Sequence, residues 1–254
     1  MTPRIAWERR GAGFPLVLVQ GLGYARWGWE PVVDLLADRF EVILFDNRGI
    51  GASEAPPGAY SAAEMAEDTR RVMDEAGVER AHLLGASLGG MIAQELALET
   101  PERVEKLVLV CTTPGGSNSA PMPGQTVQLM AEAPTLEPLV ALRKFVENAL
   151  APDPPDDLVE RILARRIETA QPPSAWFSQA SAGAAFDAWD RLPQLAVPTL
   201  VVHGTADVVV DPANAHLLVE RIPDARLELF HGCGHLLFWE QPDRFVGVVG
   251  EFLG

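Results

Sequence analysis

Residues 82–91, HLLGASLGGM, decide how the rest of the chain is read. His82-Leu83-Leu84 continues an apolar run that reads as a strand, and Leu88 opens a stretch with helical character. Between them Ser87 is surrounded by Gly85, Gly89 and Gly90. A glycine in a helix interior costs about 0.5–1 kcal/mol relative to alanine, so glycines crowded around one serine indicate that Ser87 needs clearance. Gly85-Ala86-Ser87-Leu88-Gly89 fits G-x-S-x-G. With a strand before it and a helix after it, that pattern holds a nucleophilic hydroxyl on a sharp, strained turn above the sheet. The helix start adds free N–H groups and a positive dipole beside the serine. A glycine-rich turn without chemistry is the competing reading, and partners for the serine decide between the two.

A serine hydroxyl needs a base to take its proton and an acid to orient that base. On a strand–turn–helix scaffold the chain order is Ser, then Asp or Glu, then His. The run PTLVVH leads into Gly204-Thr205-Ala206-Asp207, and RLELFH leads into Gly232-Cys233-Gly234-His235. Both follow strand C-termini, the edge of an open α/β sheet where sites form. Taken alone, Asp207 could be a turn aspartate, as Asp211 before Pro212 is, and His235 a surface-loop histidine. Their joint occurrence in this order points to a triad Ser87–Asp207–His235. His82, His203, His216 and His231 have no comparable placement.

Outward from these residues, strand candidates are Leu16–Gln20, Glu41–Asp46, Ala81–Ala86, Val104–Cys111, Pro198–His203 and Arg226–His231. They are continuous apolar runs, as expected of parallel strands covered on both faces. Helix candidates Trp27–Asp38, Ser61–Ala76, Leu88–Glu99, Pro212–Arg221 and Asp243–Leu253 alternate with them, which implies an α/β sheet. Residues 112–195 break the rhythm: they are proline-rich, contain no strand-like run, and hold helix candidates Thr126–Ala133, Glu137–Ala149, Asp156–Ala170 and Ser174–Ala180. The expected organisation is a core of residues 1–111 and 196–254 with a helical cap, or lid, of residues 112–195 inserted between two core strands.

Taken together, GASLGGMIAQELALETPERV, FDNRGIGAS, VVHGTADVVV and GCGH resemble the α/β-hydrolase superfamily over nearly the whole chain. Within it they look most like small bacterial esterases and lactonases grouped with 3-oxoadipate enol-lactonases. The resemblance implies an α/β-hydrolase fold, a mostly parallel central sheet with helices on both faces and an inserted helical lid. It also implies an oxyanion hole of two backbone amides, carried over to Leu22 and Leu88. The family usually has His-Gly-x after the first core strand. This chain has Gln20-Gly21-Leu22-Gly23, a departure that bears on how the loop is braced. Ile5–Glu8 leaves room for only one strand before the core, so the family's usual first strand is expected to be missing.

The implied chemistry is hydrolysis of carboxylic esters or lactones through an acyl-enzyme, without cofactor or metal. Carbon–carbon bond hydrolysis and cofactor-free perhydrolysis use the same triad and stay open. A ligand sensor with a hydrolase-like pocket is the alternative of another class. Epoxide hydrolases and haloalkane dehalogenases of this scaffold carry aspartate where this chain has Ser87. Gly21-Leu22-Gly23 after a strand imitates a dinucleotide fingerprint, but Arg26 stands where the third glycine belongs. His231, Cys233 and His235 cluster without the further ligands of a zinc site.

The chain has 254 residues, 48% hydrophobic and 22% charged, with net charge −15. An acidic surface speaks against nucleic acid as a partner. No stretch has the roughly 20 apolar residues of a membrane span, and MTPRIAWERRGAGF has no apolar export core. A cytoplasmic protein acting on a small ester or lactone, with no membrane partner and an open oligomeric state, is expected. Cys111 and Cys233 are expected to be free thiols. Trp27, Met122, Met130 and Trp176 are candidates to line the pocket. The net charge, with lid arginines read as surface i,i+4 pairs, favours neutral substrates over anionic ones.

Overall fold

The computed structural model describes residues 2–254. Seven strands make one sheet: β1 (Trp7–Arg10), β2 (Phe14–Val19), β3 (Phe40–Phe45), β4 (Ala81–Ala86), β5 (Val104–Val110), β6 (Thr199–Gly204) and β7 (Ala225–Phe230). Their spatial order is β1-β3-β2-β4-β5-β6-β7. β1 pairs antiparallel with β3, and every other pairing is parallel. Among the described residues β1 is the one strand ahead of β2. Every residue of β4 and of β6 is buried, which is why these strands read as continuous rather than alternating runs, with His82, Thr199 and His203 as their buried polar members.

Because side chains alternate across a strand, each strand feeds two cores. Leu16, Leu18, Val42, Leu44, Leu84, Val108 and Val202 join one. Val17, Val19, Ile43, Phe45, Leu83, Leu109 and Val201 join the other. Helices α1 (Glu30–Ala37) and α10 (Pro242–Leu253) cover the first face through Val32, Leu36, Phe245 and Val249. α2 (Ala62–Glu75), α3 (Leu88–Glu99) and α8 (Ala213–Arg221) cover the second through Met65, Val72, Ile92, Leu96 and Leu218. α2 begins with a capping box: Ser61 Oγ accepts from the Glu64 amide, and Glu64 accepts from the Ser61 amide.

Between β5 and β6 the chain forms α4 (Gly124–Glu132), α5 (Pro138–Asn148), α6 (Asp156–Glu168) and α7 (Pro173–Ala185) and no strand. The two ends of this insertion lie side by side. Gly115 and Asp187 form an antiparallel bridge, and the Ala188 amide donates to the Pro114 carbonyl at 2.9 Å. α7 runs five residues further than its sequence suggests. Ala182 is buried there, and Gly183 passes close enough to the start of α3 that a Cβ would lie 3.6 Å from Leu88 Cδ1. Ala182, Ala184 and Ala185 are good helix formers and carry α7 past its expected end, and Gly183 lies over the start of α3. The short α9 (Leu237–Glu240) follows the last core loop. Cys111 and Cys233 are both free and buried, on loops separated by β6. No helix among the described residues is long and apolar enough to cross a membrane.

Candidate active site

The C-terminal edge of the sheet gathers the motifs. β2 and β4 are in register at Val19 and Gly85, so Gln20 and Gly21 emerge beside Ala86 and Ser87. Ser87 lies between β4 and α3 with φ 55° and ψ −120°. Two glycines make this turn possible by close approach. A Cβ at Gly85 would lie 2.2 Å from the Gly89 carbonyl oxygen, and one at Gly89 would lie 2.1 Å from that of Val19. The Ser87 amide donates to Val110 at 2.9 Å, and Thr112 Oγ1 donates to the Ser87 carbonyl at 2.8 Å. The backbone of the elbow is thereby pinned to the neighbouring strand.

Asp207 and His235 meet across β6 and β7. His235 Nδ1 lies 2.7 Å from Asp207 Oδ2. Asp207 Oδ1 accepts from the amides of Val209 at 2.8 Å and Val210 at 3.0 Å. Burial by itself raises a carboxyl pKa. Here the charge and hydrogen bonds of His235 and His203 outweigh burial and hold Asp207 below the usual carboxylate range. The His235 loop is braced from α9, where Glu240 accepts from the amides of Gly234 and Ala151. Leu236 donates to the Ala149 carbonyl at 2.9 Å, tying that loop to the end of α5.

Ser87 and His235 line one cavity of about 640 Å³ between the sheet edge and the insertion. Among the described residues the Ser87 hydroxyl has no hydrogen-bond partner within the protein, so it is the cavity that brings the two groups together. Leu22 and Leu88 line the same cavity. Leu88 is the first residue of α3, where the N–H has no intrahelical acceptor. In the facing loop Gln20 Oε1 accepts from the Gly21 amide at 2.8 Å, and Gln179 Oε1 from the Gly23 amide at 3.4 Å. The Leu22 amide between them makes no hydrogen bond within the described residues. Gln20 thus braces the loop from inside, and Asn47 Nδ2 holds its carbonyl at 2.8 Å.

The matching family model, alpha/beta hydrolase fold, covers residues 15–242. The chain belongs to this family. It is 34% identical to a 2-hydroxy-6-oxononadienedioate/2-hydroxy-6-oxononatrienedioate hydrolase of Cupriavidus pinatubonensis, over 99% of this chain and 91% of the relative. It is 31% identical to a pimeloyl-(acyl-carrier protein) methyl ester esterase of Aeromonas hydrophila, over 98% and 99%. The enol-lactonase of Burkholderia xenovorans superposes with a TM-score of 0.84 at 29% identity, covering 98% of this chain and 96% of that one. These relatives make the chain a hydrolase of the α/β fold and differ among themselves in the bond they break.

Of the residues expected to line this hydrolase's pocket, Met122, Met130 and Trp176 do so and Trp27 does not. Trp27 is buried instead. Its Nε1 donates to Thr169 Oγ1 at 2.7 Å, and its ring packs on Tyr24 and Trp239 at 5.3 and 6.2 Å between centroids. Carried by the 3₁₀ turn Arg26–Trp29, it sits in the core beside the end of α6 and Trp239 of α9.

The lid arginines divide. Arg143 pairs with Glu147 and Glu160, and Arg165 with Glu168 and Glu30, the surface pairing expected of them. Arg161 lies over the Trp239 ring at 5.5 Å. Arg166 is different. It makes no ion pair among the described residues, lines the cavity, and sits over the Tyr24 ring at 4.8 Å. A Cβ on Gly23 would lie 2.9 Å from Arg166 Nη2, so the guanidinium stands against the loop Gln20–Gly23. The reading of the lid arginines as surface ion pairs is corrected at Arg166 and also at Arg161, which makes no ion pair among the described residues and stacks on Trp239 instead.

Cys111, His203 and Asp207 bring one potential metal-ligand atom each within 4.8 Å of the others. Both Asp207 oxygens and His203 Nε2 already take part in hydrogen bonds, and a network of that kind describes these contacts without an ion. Spacing alone gave no signal for His203, Gln179, Glu240 or Arg166.

Proposed function

We propose that this protein hydrolyses carboxylic esters or lactones through an acyl-enzyme on Ser87. The observation that carries the reading is the placement of a serine on a strained elbow and an Asp207-held His235 on the wall of one cavity. His235 Nε2 takes the Ser87 proton as the hydroxyl attacks the carbonyl. Asp207 keeps the other ring proton on Nδ1 and stabilises the imidazolium. The Leu22 and Leu88 amides receive the developing oxyanion, a contribution of about 3–4 kcal/mol per donor in serine hydrolases. His235 then returns its proton to the leaving oxygen, and water repeats the sequence on the acyl-enzyme. Apo hydrogen bonds of catalytic groups are often long and tighten only with substrate, which fits the unpartnered Ser87 hydroxyl.

The acyl group is largely apolar, accommodated by Met91, Met122, Met130, Phe145, Trp176 and Phe186. Arg166 provides one place for an anionic substituent. That residue also favours a second reading, carbon–carbon cleavage of vinylogous diketones that carry a carboxylate. The test is a panel of neutral esters, anionic esters, lactones and vinylogous diketones, run with the wild type and Ser87→Ala. Ester or lactone turnover that disappears in a folded Ser87→Ala supports the proposal. Turnover that keeps a tenth of its rate without the hydroxyl overturns it, and turnover of the diketones alone selects the second reading.

A further inference from the structure

His203 is the fifth residue of β6 and is fully buried. Its Nε2 lies 3.0 Å from the Val210 carbonyl oxygen and 3.2 Å from Asp207 Oδ2. A carbonyl only accepts, so Nε2 carries the hydrogen and shares it between Val210 and Asp207. Nδ1 is shielded from solvent and has no partner. A buried nitrogen without a partner is unfavourable, and Val201, two positions away on the same face of β6, shows that an apolar side chain fits this layer. The imidazole is therefore explained by what Nε2 holds.

What it holds is the turn that presents the proposed triad acid. The Val210 amide binds Asp207 Oδ1, and the Val210 carbonyl is bound by His203. The same Nε2–H reaches Oδ2, the oxygen that His235 uses. Asp207 thus has two imidazoles on one oxygen and two backbone amides on the other.

We propose that His203 is a positioning residue: by donating from Nε2 to both Val210 O and Asp207 Oδ2, it aims the carboxylate at His235 and moderates its pull on the imidazolium. This rests on the reading of Ser87, Asp207 and His235 as a triad. No proton passes to His203 in the cycle. Its hydrogen stays on Nε2 while the Ser87 proton travels to His235 and back. Withdrawing the donor concentrates charge on Oδ2, which favours imidazolium at His235 and moves the acid limb of the pH profile upward. The other titratable groups facing this centre are the Cys111 thiol at the end of β5 and Glu240 of α9. Burial and the Asp207 charge push Cys111 well above its usual value, and Glu240 is engaged by the Gly234 and Ala151 amides.

The experiment compares wild type, His203→Leu, His203→Gln and Ser87→Ala on a neutral ester across pH. His203→Leu should lower kcat by about 10–100-fold, the range for losing a hydrogen bond to a charged group. KM should stay within about twofold, and the acid limb of kcat/KM should rise by up to about one pH unit. His203→Gln, whose side-chain amide offers a donor near the Nε2 position, should recover most of the rate and the original limb. An unchanged kcat and limb in His203→Leu would overturn the proposal. So would a lowered kcat with the limb in place that His203→Gln does not relieve, since that is a packing defect. Turnover surviving in Ser87→Ala condemns the triad reading. Turnover abolished there but intact in His203→Leu condemns only this inference. If His203→Leu does not fold, ¹⁵N-histidine spectra of wild type and Asp207→Asn decide without substrate. An Nε2-protonated His203 whose N–H resonance moves in Asp207→Asn supports the proposal, and an Nδ1-protonated or unmoved one refutes it.

Discussion

Ser87 holds its hydroxyl on a backbone conformation that an L residue adopts only under constraint, at a cost on the order of 1–3 kcal/mol. The surroundings enforce it: the Ser87 amide and carbonyl are bound by Val110 and Thr112, and carbonyl oxygens fill the space that a Cβ on Gly85 or Gly89 would need. At this scale the acid is the more discriminating test, because the chain offers two aspartates four residues apart. Asp211 also lines the cavity, but its Oδ1 accepts from the Ala213 amide at the start of α8. Asp207→Asn should reduce kcat by about 10⁴-fold, as expected when the orienting acid is replaced and the imidazole tautomer is lost. Asp211→Asn should change it by less than about threefold, since asparagine keeps that capping oxygen. Equal losses in the two variants would mean that the acid is misassigned. Arg166 gives a second residue-scale prediction. Its guanidinium has no carboxylate partner among the described residues, whereas the net charge of −15 repels anions at long range. Arg166→Gln should lower kcat/KM for an ester with a carboxylate in its acyl part by about tenfold or more and leave a neutral homologue nearly unchanged. If the selectivity for the anion is the same in both proteins, or grows with added salt, Arg166 is not its receptor.

At the scale of elements, what could be read in advance depended on whether a local rule was sufficient. α3 runs from Leu88 to Glu99 as its sequence suggests, because the elbow fixes its start and Pro101 its end. α2, expected over Ser61–Ala76, spans Ala62–Glu75, and a capping box of Ser61 and Glu64 fixes its start. This cap makes a clean prediction. Ser61→Ala should cost about 1 kcal/mol, or roughly 2–4 °C in Tm, with hydrolytic rates unchanged, because neither Ser61 nor Glu64 lines the cavity that holds Ser87. A loss of activity larger than the loss of folded protein would contradict that separation. Other elements were not legible. α9 is four residues long, too short to show a period, yet its Glu240 braces the His235 loop. The spacing of Arg161, Arg165 and Arg166 shows which of them share a helix face. It does not show which face the insertion turns inward, and so Arg166 could not be separated from its neighbours. Trp27 failed for a related reason. An aromatic close to the sheet edge serves pocket or core equally well until the turn that bears it is known. His203 ends an apolar strand, and only the return of the chain at Val210 gives its ring a function.

For the whole molecule, the consequence of covering both faces of the sheet is that polar groups entering it are stripped of water. His82 is the clearest instance. It opens on β4, is 4% exposed, and lies between the rings of Phe14 and Phe40 at 4.6 and 6.0 Å. Burial first, and then the charges of Lys106 and Arg80, lower its pKa to about 4 from an ordinary 6.5. The folded protein therefore holds this ring neutral in a range where the unfolded chain protonates it. Between about pH 6.5 and 4 the unfolded state binds more protons, so stability falls as the pH is lowered through that window. The full effect of a shift this large is on the order of 3 kcal/mol. Asp207 carries a shift of the same sense for stability, but its window lies lower. A carboxylate depressed below its usual value keeps its contribution above the ordinary pKa of 3.8 and loses it only as the pH falls further. The two are therefore separable. His82→Phe keeps an aromatic ring in the stack and removes the titrating group. Urea denaturation at pH 7.5 and pH 4.5 should show wild type losing about 2–3 kcal/mol more than His82→Phe on acidification. An identical loss in both proteins would assign the acid sensitivity to carboxylates and show that His82 finds a proton acceptor or solvent in the folded state.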